Sequence, residues 1–227
     1  MPGHHAEPAI RDLAGRWRLS ERGLSFSGGL EGLAAQGLPV GPEALTGLMR
    51  DLLLRRWASA DRVALARAYR AGGDIERIAA ADDALDSAIL VAPLREGSRR
   101  NGAAMLAAHC RIGQPAAQRL QRARVQALLH GHLPVVQGAI FQALGMTEGA
   151  AIAAAGYAAI SALATASVRL GRVGAIEAQA AIAATLPVLA DLADDPPFDA
   201  APIEGFLPLL DLAAARHVRA GVRLFAN

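Results

Sequence analysis

Along this chain glycine and proline stand at the two ends of one apolar stripe after another, and that punctuation leaves few folds open. From Pro42 the residues Leu45, Leu48, Met49, Leu52 and Leu53 recur at intervals of three and four, the stripe of an amphipathic helix entered through Gly41-Pro42-Glu43. A second helix is predicted to start near Ser59 and to stop at Gly72-Gly73. Further helices are predicted over 75–91, 94–110 behind Pro93, 115–130 before Gly131, 135–144 before Gly145, 148–170 before Gly171, 175–193 and 206–220. Proline just inside a start and glycine just past an end is the asymmetry that helices prefer. No alternating run has the length of a strand, and no linker rich in Gly, Ser or Pro divides the chain. The expectation is an all-α protein, a single globular bundle of about nine or ten helices. Residues 1–22 are expected to form a partly flexible N-terminal segment and residues 23–227 one domain, its last helix delivered by the loop "DDPPFDAAPIEG".

Composition agrees. The chain is 53% hydrophobic but only 4% aromatic, so its apolar content is mainly Ala, Leu, Val and Ile. At 227 residues a domain buries roughly 70–75% of the surface its unfolded chain exposes, so a core needs no staples. The single cysteine, Cys110, has no intramolecular partner, and no charged start with an apolar run and a cleavage site opens the chain, so a cytoplasmic location is expected. The span Gly149 to Val168 carries no charge over a length that would cross a bilayer. It is built of small residues that let helices approach closely, which favours a central buried helix and no membrane contact.

Charge excludes several functions. A net charge of +2 and few aromatics give no footprint for nucleic acid. There is no lysine, which removes Walker-A phosphate binding, Schiff-base chemistry and lysine general bases together. Arginines cluster instead, at Arg95, Arg99 and Arg100, at Arg119, Arg122 and Arg124, and at Arg216, Arg219 and Arg223. Each set reads as a solvated face or as docking forks for carboxylates.

Two acidic sets raise the question of catalysis. "DDALD" at Asp82, Asp83 and Asp86 has the spacing with which prenyl-diphosphate enzymes hold magnesium against a diphosphate, and Asp191, Asp194 and Asp195 would be its partner. That alternative requires the aspartates to line a deep apolar cavity, whereas solvated helix surface leaves them exposed and replaceable by asparagine. His109, Cys110, His130 and His132 bracket one helix without a His-x-x-x-His or Glu-x-x-His pair, so they read as structural or surface residues. No catalytic, cofactor-binding or metal-ligating residue is assigned.

Four stretches, in order and covering most of the chain from about residue 23, resemble urease accessory protein F. "SFSGGLEGL" is similar to the family's Phe-Ser-His/Tyr-Ser-x-Gly-Leu-Glu element at Ser25, Ser27, Gly29, Leu30 and Glu31. "GHLPVVQGAIFQALG" resembles its His-x-Pro-Val-x-x-Gly helix start at His132, Pro134, Val135 and Gly138. "SVRLGRVGAIEAQ" keeps Val168, Arg169, Leu170, Gly174 and Gln179 of a third element, and the ending keeps Asp211, Arg216, His217, Arg223, Leu224 and Phe225 of a fourth. The chain departs from the pattern at Ser20, Leu24, Arg172, Ala175 and Val218.

The resemblance implies a non-enzymatic, all-α dimer that binds the accessory protein D/H and recruits the nickel-carrying GTPase G to apo-urease. It further implies that Ser25, Ser27, Glu31, Arg169, Arg216, His217, Arg223, Leu224 and Phe225 meet partners. On that reading the basic ending persists because it docks: Arg216 and Arg223 bond partner carboxylates or carbonyls, while Leu224 and Phe225 fill a pocket.

Overall fold

The computed structural model describes residues 41–205. Their regular structure is all helical, with α1 (Pro42–Leu52), α2 (Arg62–Arg70), α3 (Ile75–Ala88), α4 (Ala92–Arg111), α5 (Pro115–Val125), α6 (Leu133–Ala143), α7 (Glu148–Arg169) and α8 (Ala175–Asp194), and no strand among the described residues. A π-helical segment, Leu53–Asp61, joins α1 to α2 without a break, so these elements make seven helical rods. The helix expected over 206–220 lies outside the described residues, as do the stretches around Ser25 and Arg216.

The expected break at Ser59 does not occur. The chain widens its turn instead, with the Arg62 N–H reaching back five residues to the Trp57 carbonyl. The reason is burial: Leu53, Arg56, Trp57, Ala58, Ala60 and Asp61 are all enclosed, so a helix start here would leave unpaired backbone amides in the core.

The other starts and stops follow local chemistry. Asp74 caps α3 by accepting the Glu76 and Arg77 amides at 3.0 and 3.3 Å. Thr147 caps α7 through the Ala150 amide, and prolines open α1, α4, α5 and α6. The predicted helix 115–130 ends early, at Val125. Ala127 takes φ +57°, the position glycine usually fills, while the Leu128 amide bonds Ala123 O at 2.9 Å and closes the end.

Helix α6 lies at the centre. Every residue from Pro134 to Phe141 is buried, so it packs on all sides, principally along α2 and beneath α4. Gly138 makes the α2 contact possible, since a Cβ there would stand 2.2 Å from the Leu65 carbonyl oxygen. Helices α7 and α8 run back to back and close on α1 through Leu45, Met49, Ile152, Leu163 and Leu189. Both are long and apolar enough to cross a membrane by length and composition. The expected placement of the charge-free span holds: α7 buries ten residues, from Ala151 to Ser167, inside the bundle.

Candidate functional site

Helix α3 and the turn before α6 build a buried polar joint. The stripe Ile78, Ala81, Leu85 and Ile89 faces the core, and Asp82 sits on it, wholly buried. Its two oxygens separate the work: Oδ2 accepts the Gly131 amide at 2.7 Å and Oδ1 the His132 amide at 3.0 Å. These amides stand at the start of α6, so the carboxylate satisfies backbone donors and complements the positive end of the helix. Ser98 Oγ accepts the next amide, Leu133, at 3.3 Å. Gly102 lets α4 come this close, because a Cβ there would meet the Gly131 oxygen at 2.0 Å.

One turn on, Asp86 receives the His132 ring at 2.8 Å through Nε2 and the Arg99 guanidinium beside it. Burial works to raise the Asp86 carboxyl, but the hydrogen bonds from His132 and Arg99, with the charges of His130 and Arg99, outweigh it and hold the group below its ordinary value. His132 is fully buried, and that burial lowers its pKa against the pull of Asp86 and Asp82. A neutral ring facing an ionised carboxylate carries its proton on Nε2. Nδ1 is then a buried acceptor without a hydrogen-bond partner among the described residues. Asp61 lies near the same ring, its carboxyl raised by burial against Arg56 and His132. Asp83 alone of the three aspartates is exposed, paired at 3.2 Å with His130.

This arrangement corrects both readings of the acidic cluster. Asp82 is not solvated surface, and the three carboxylates do not converge on a cavity, because Asp82 and Asp86 spend their oxygens on backbone amides, His132 and Arg99. Asp191, Asp194 and Asp195 are exposed at the far end of α8. Among the described residues no three His, Cys, Asp or Glu side chains are grouped to hold a metal ion.

A second polar set fixes where the chain leaves the bundle. Arg62 donates from Nη1 to Leu192 O at 2.8 Å and Asp195 O at 3.0 Å, and from Nε to Ala58 O at 3.1 Å. Arg67 holds Asp199 O at 3.2 Å and Ala201 O at 2.7 Å, and Arg70 bridges Glu148 and Asp199. The Glu204 amide then bonds Ser59 O at 3.0 Å, and Gly205 lies against Ala60 and Arg56. The loop after α8 is thereby laid across the π segment.

Of the residues assigned to partner contact, Arg169 is described: it is exposed in the last turn of α7, one residue before the turn made by Leu170 and Gly171. Ser25, Ser27, Glu31, Arg216, His217, Arg223, Leu224 and Phe225 lie outside the described residues. Sequence reasoning passed over Arg62, Arg67 and Arg70. Their signal is the spacing 62, 67, 70, which sets basic side chains along one side of an otherwise alanine-rich helix.

The class defined by this geometry is an all-helical body whose buried ionic groups join helices and pin a loop. A family model described as UreF matches residues 40–186, about two thirds of the chain, and the protein belongs to that family. Similar proteins include the urease accessory protein UreF of Trichodesmium erythraeum, 29% identical over 90% of each chain. Urease accessory protein UreF 1 of Brucella melitensis is 30% identical over 90% of this chain and 86% of its own length. UreF 2 of Brucella canis is 29% identical over the same shares.

Proposed function

We propose that this protein is a urease maturation factor. It dimerises, binds the accessory protein D/H, and recruits and regulates the nickel-carrying GTPase G in the cytoplasm for assembly of the urease dinickel site, with nickel as cargo and no reaction of its own. Membership of the UreF family carries this reading, supported by relatives named as urease accessory proteins over nine tenths of the chain. Residues 23–227 act as one unit on this reading. Partner contact falls to Ser25, Ser27, Glu31, Arg169 and the ending with Arg216, His217, Arg223, Leu224 and Phe225. The pinned loop fits it too, since it delivers the chain toward that ending from a fixed point on the π segment.

Light scattering after size-exclusion chromatography tests the proposal, with the protein alone and mixed with D/H and with G holding a non-hydrolysable nucleotide. A dimer that shifts into a larger stoichiometric complex is the expected result. A chain that stays unshifted beside folded partners overturns the assignment and leaves a family scaffold that has lost its urease partners.

A further inference from the structure

The α4–α5 hairpin is charged out of proportion to the rest of the molecule. Between Ala92 and Gln126 stand seven arginines and one acidic residue, Glu96, a net +6 in a chain whose total is +2. Arg99 is spent on Asp86, Arg95 reaches the Ile89 carbonyl, and Arg124 lies under Gly131. The remaining four, Arg100, Arg111, Arg119 and Arg122, are exposed and make no hydrogen bond or ion pair with any described residue. Arg111 and Arg122 stand in the last turns of their helices, where the helix dipole favours cations, but Arg100 and Arg119 do not.

The surface between the forks carries apolar groups. On α4, Ala104, Ala107 and Ala108 are exposed between Arg100 and Arg111. Ile112, just past the end of α4, and Val125, at the end of α5, stand out, 76% and 75% exposed. Arginine forks around small and apolar residues are the composition of a protein interface. A phosphate backbone would find the charges but would have no use for Ile112 or Val125, and the hairpin has no aromatic on which a base stacks. A second copy set here about a two-fold axis would bring the four free arginines of one copy against those of the other.

We propose that the outward face of α4 and α5 docks an acidic protein surface, the arginines binding its carboxylates and Ile112 and Val125 seating its apolar rim. The inference deepens the maturation-factor reading and rests on it: the occupant is one of the partners of that assembly, met at a place separate from the chain's ending.

The test uses the full-length protein with Arg100, Arg111, Arg119 and Arg122 replaced together by alanine, and a second version with lysine at all four. Binding kinetics are read against D/H, G and apo-urease in turn at about 50 and 200 mM NaCl, with a 20-base-pair DNA duplex as a further probe. Wild type is expected to associate with one partner more slowly at the higher salt. The alanine version should lose about tenfold or more in affinity for that partner only, together with the salt dependence, and the lysine version should keep the salt dependence. Thermal melting should be unchanged in both, since all four side chains are exposed. Unchanged affinity of the alanine version for every partner overturns the docking face and leaves the maturation reading standing. Duplex binding tighter than any partner's reassigns the face to nucleic acid. Wild type that binds no partner overturns the maturation reading and this inference with it.

Discussion

Asp82 Oδ1 accepts the His132 backbone amide at 3.0 Å across fifty positions of sequence, so the start of α6 is capped from α3. The same carboxylate takes the Gly131 amide on its other oxygen at 2.7 Å. Asp82→Asn keeps the shape but turns an NH2 group toward one of those donors. A buried donor without an acceptor costs about 1–3 kcal/mol. Denaturant unfolding is expected to show a loss in that range, and an unchanged midpoint would mean that the amides find another acceptor.

His132 makes the joint sensitive to acid. Its folded pKa is held below the ordinary histidine value by burial, so the unfolded chain binds more protons as the pH drops through about 6.5. Stability is therefore present above that value and declines as the pH falls below it. His109, lowered by burial, adds in the same direction. Asp86, held low, loses its contribution only below the ordinary carboxylate value of 3.8, while Asp61, held high by burial, works in the opposite sense above 3.8. His132→Gln should flatten the decline in melting temperature between pH 7 and pH 5 relative to wild type. An identical slope would show that the ring does not titrate within this window.

Ala127 gives an improvement to test. It holds φ +57°, which costs an L-residue about 1–2 kcal/mol, and it is exposed, so little packing is lost by removing its Cβ. Ala127→Gly is expected to raise the melting temperature by about 2–4 °C, the shift for roughly 1 kcal/mol in a protein of this size. A fall instead would mean that the extra freedom of the unfolded glycine outweighs the relieved strain.

The reverse substitution is expected at the centre of the bundle. Gly138→Ala drives a methyl to 2.2 Å from Leu65 O, a backbone atom that moves only with the helix carrying it. Overpacking of this kind costs typically 1–3 kcal/mol and here is expected at the upper end, read as a lowered denaturation midpoint.

What was legible in the sequence divides along physical lines. Six rods from α3 to α8 were legible because Gly and Pro act locally, within one turn of the helix end they mark. The join of α1 to α2 was not, because Arg55, Arg56 and Asp61 look like a solvated break, and only the packed structure encloses Arg56, Trp57 and Asp61. The acidic cluster misled for a related reason: Asp82 reads as surface by residue type, although its place on the stripe Ile78, Ala81, Leu85, Ile89 marks it as interior. Its partner amides stand about fifty residues away, beyond any local pattern.

The loop after α8 provides the last test, because its attachment depends on few groups. Arg62 supplies donors to Leu192 O and Asp195 O where α8 runs out of its own, and Arg67 does the same for Asp199 O and Ala201 O. With both replaced by alanine, four carbonyls lose those bonds, and the Glu204 amide on Ser59 O is left with the Arg70–Asp199 pair earlier in the loop and the packing of Ile203 and Gly205 beside it. Loss of the ties should free this stretch locally while the core, whose packing among α1, α6, α7 and α8 does not use those bonds, stays folded. Hydrogen exchange of the Glu204 amide should quicken by about tenfold or more, the value of roughly 1.4 kcal/mol, with the amides of α6 unchanged. If Glu204 keeps its protection, the loop is held by its apolar contacts, Ile203 foremost, and the arginines are not what delivers the chain to its ending.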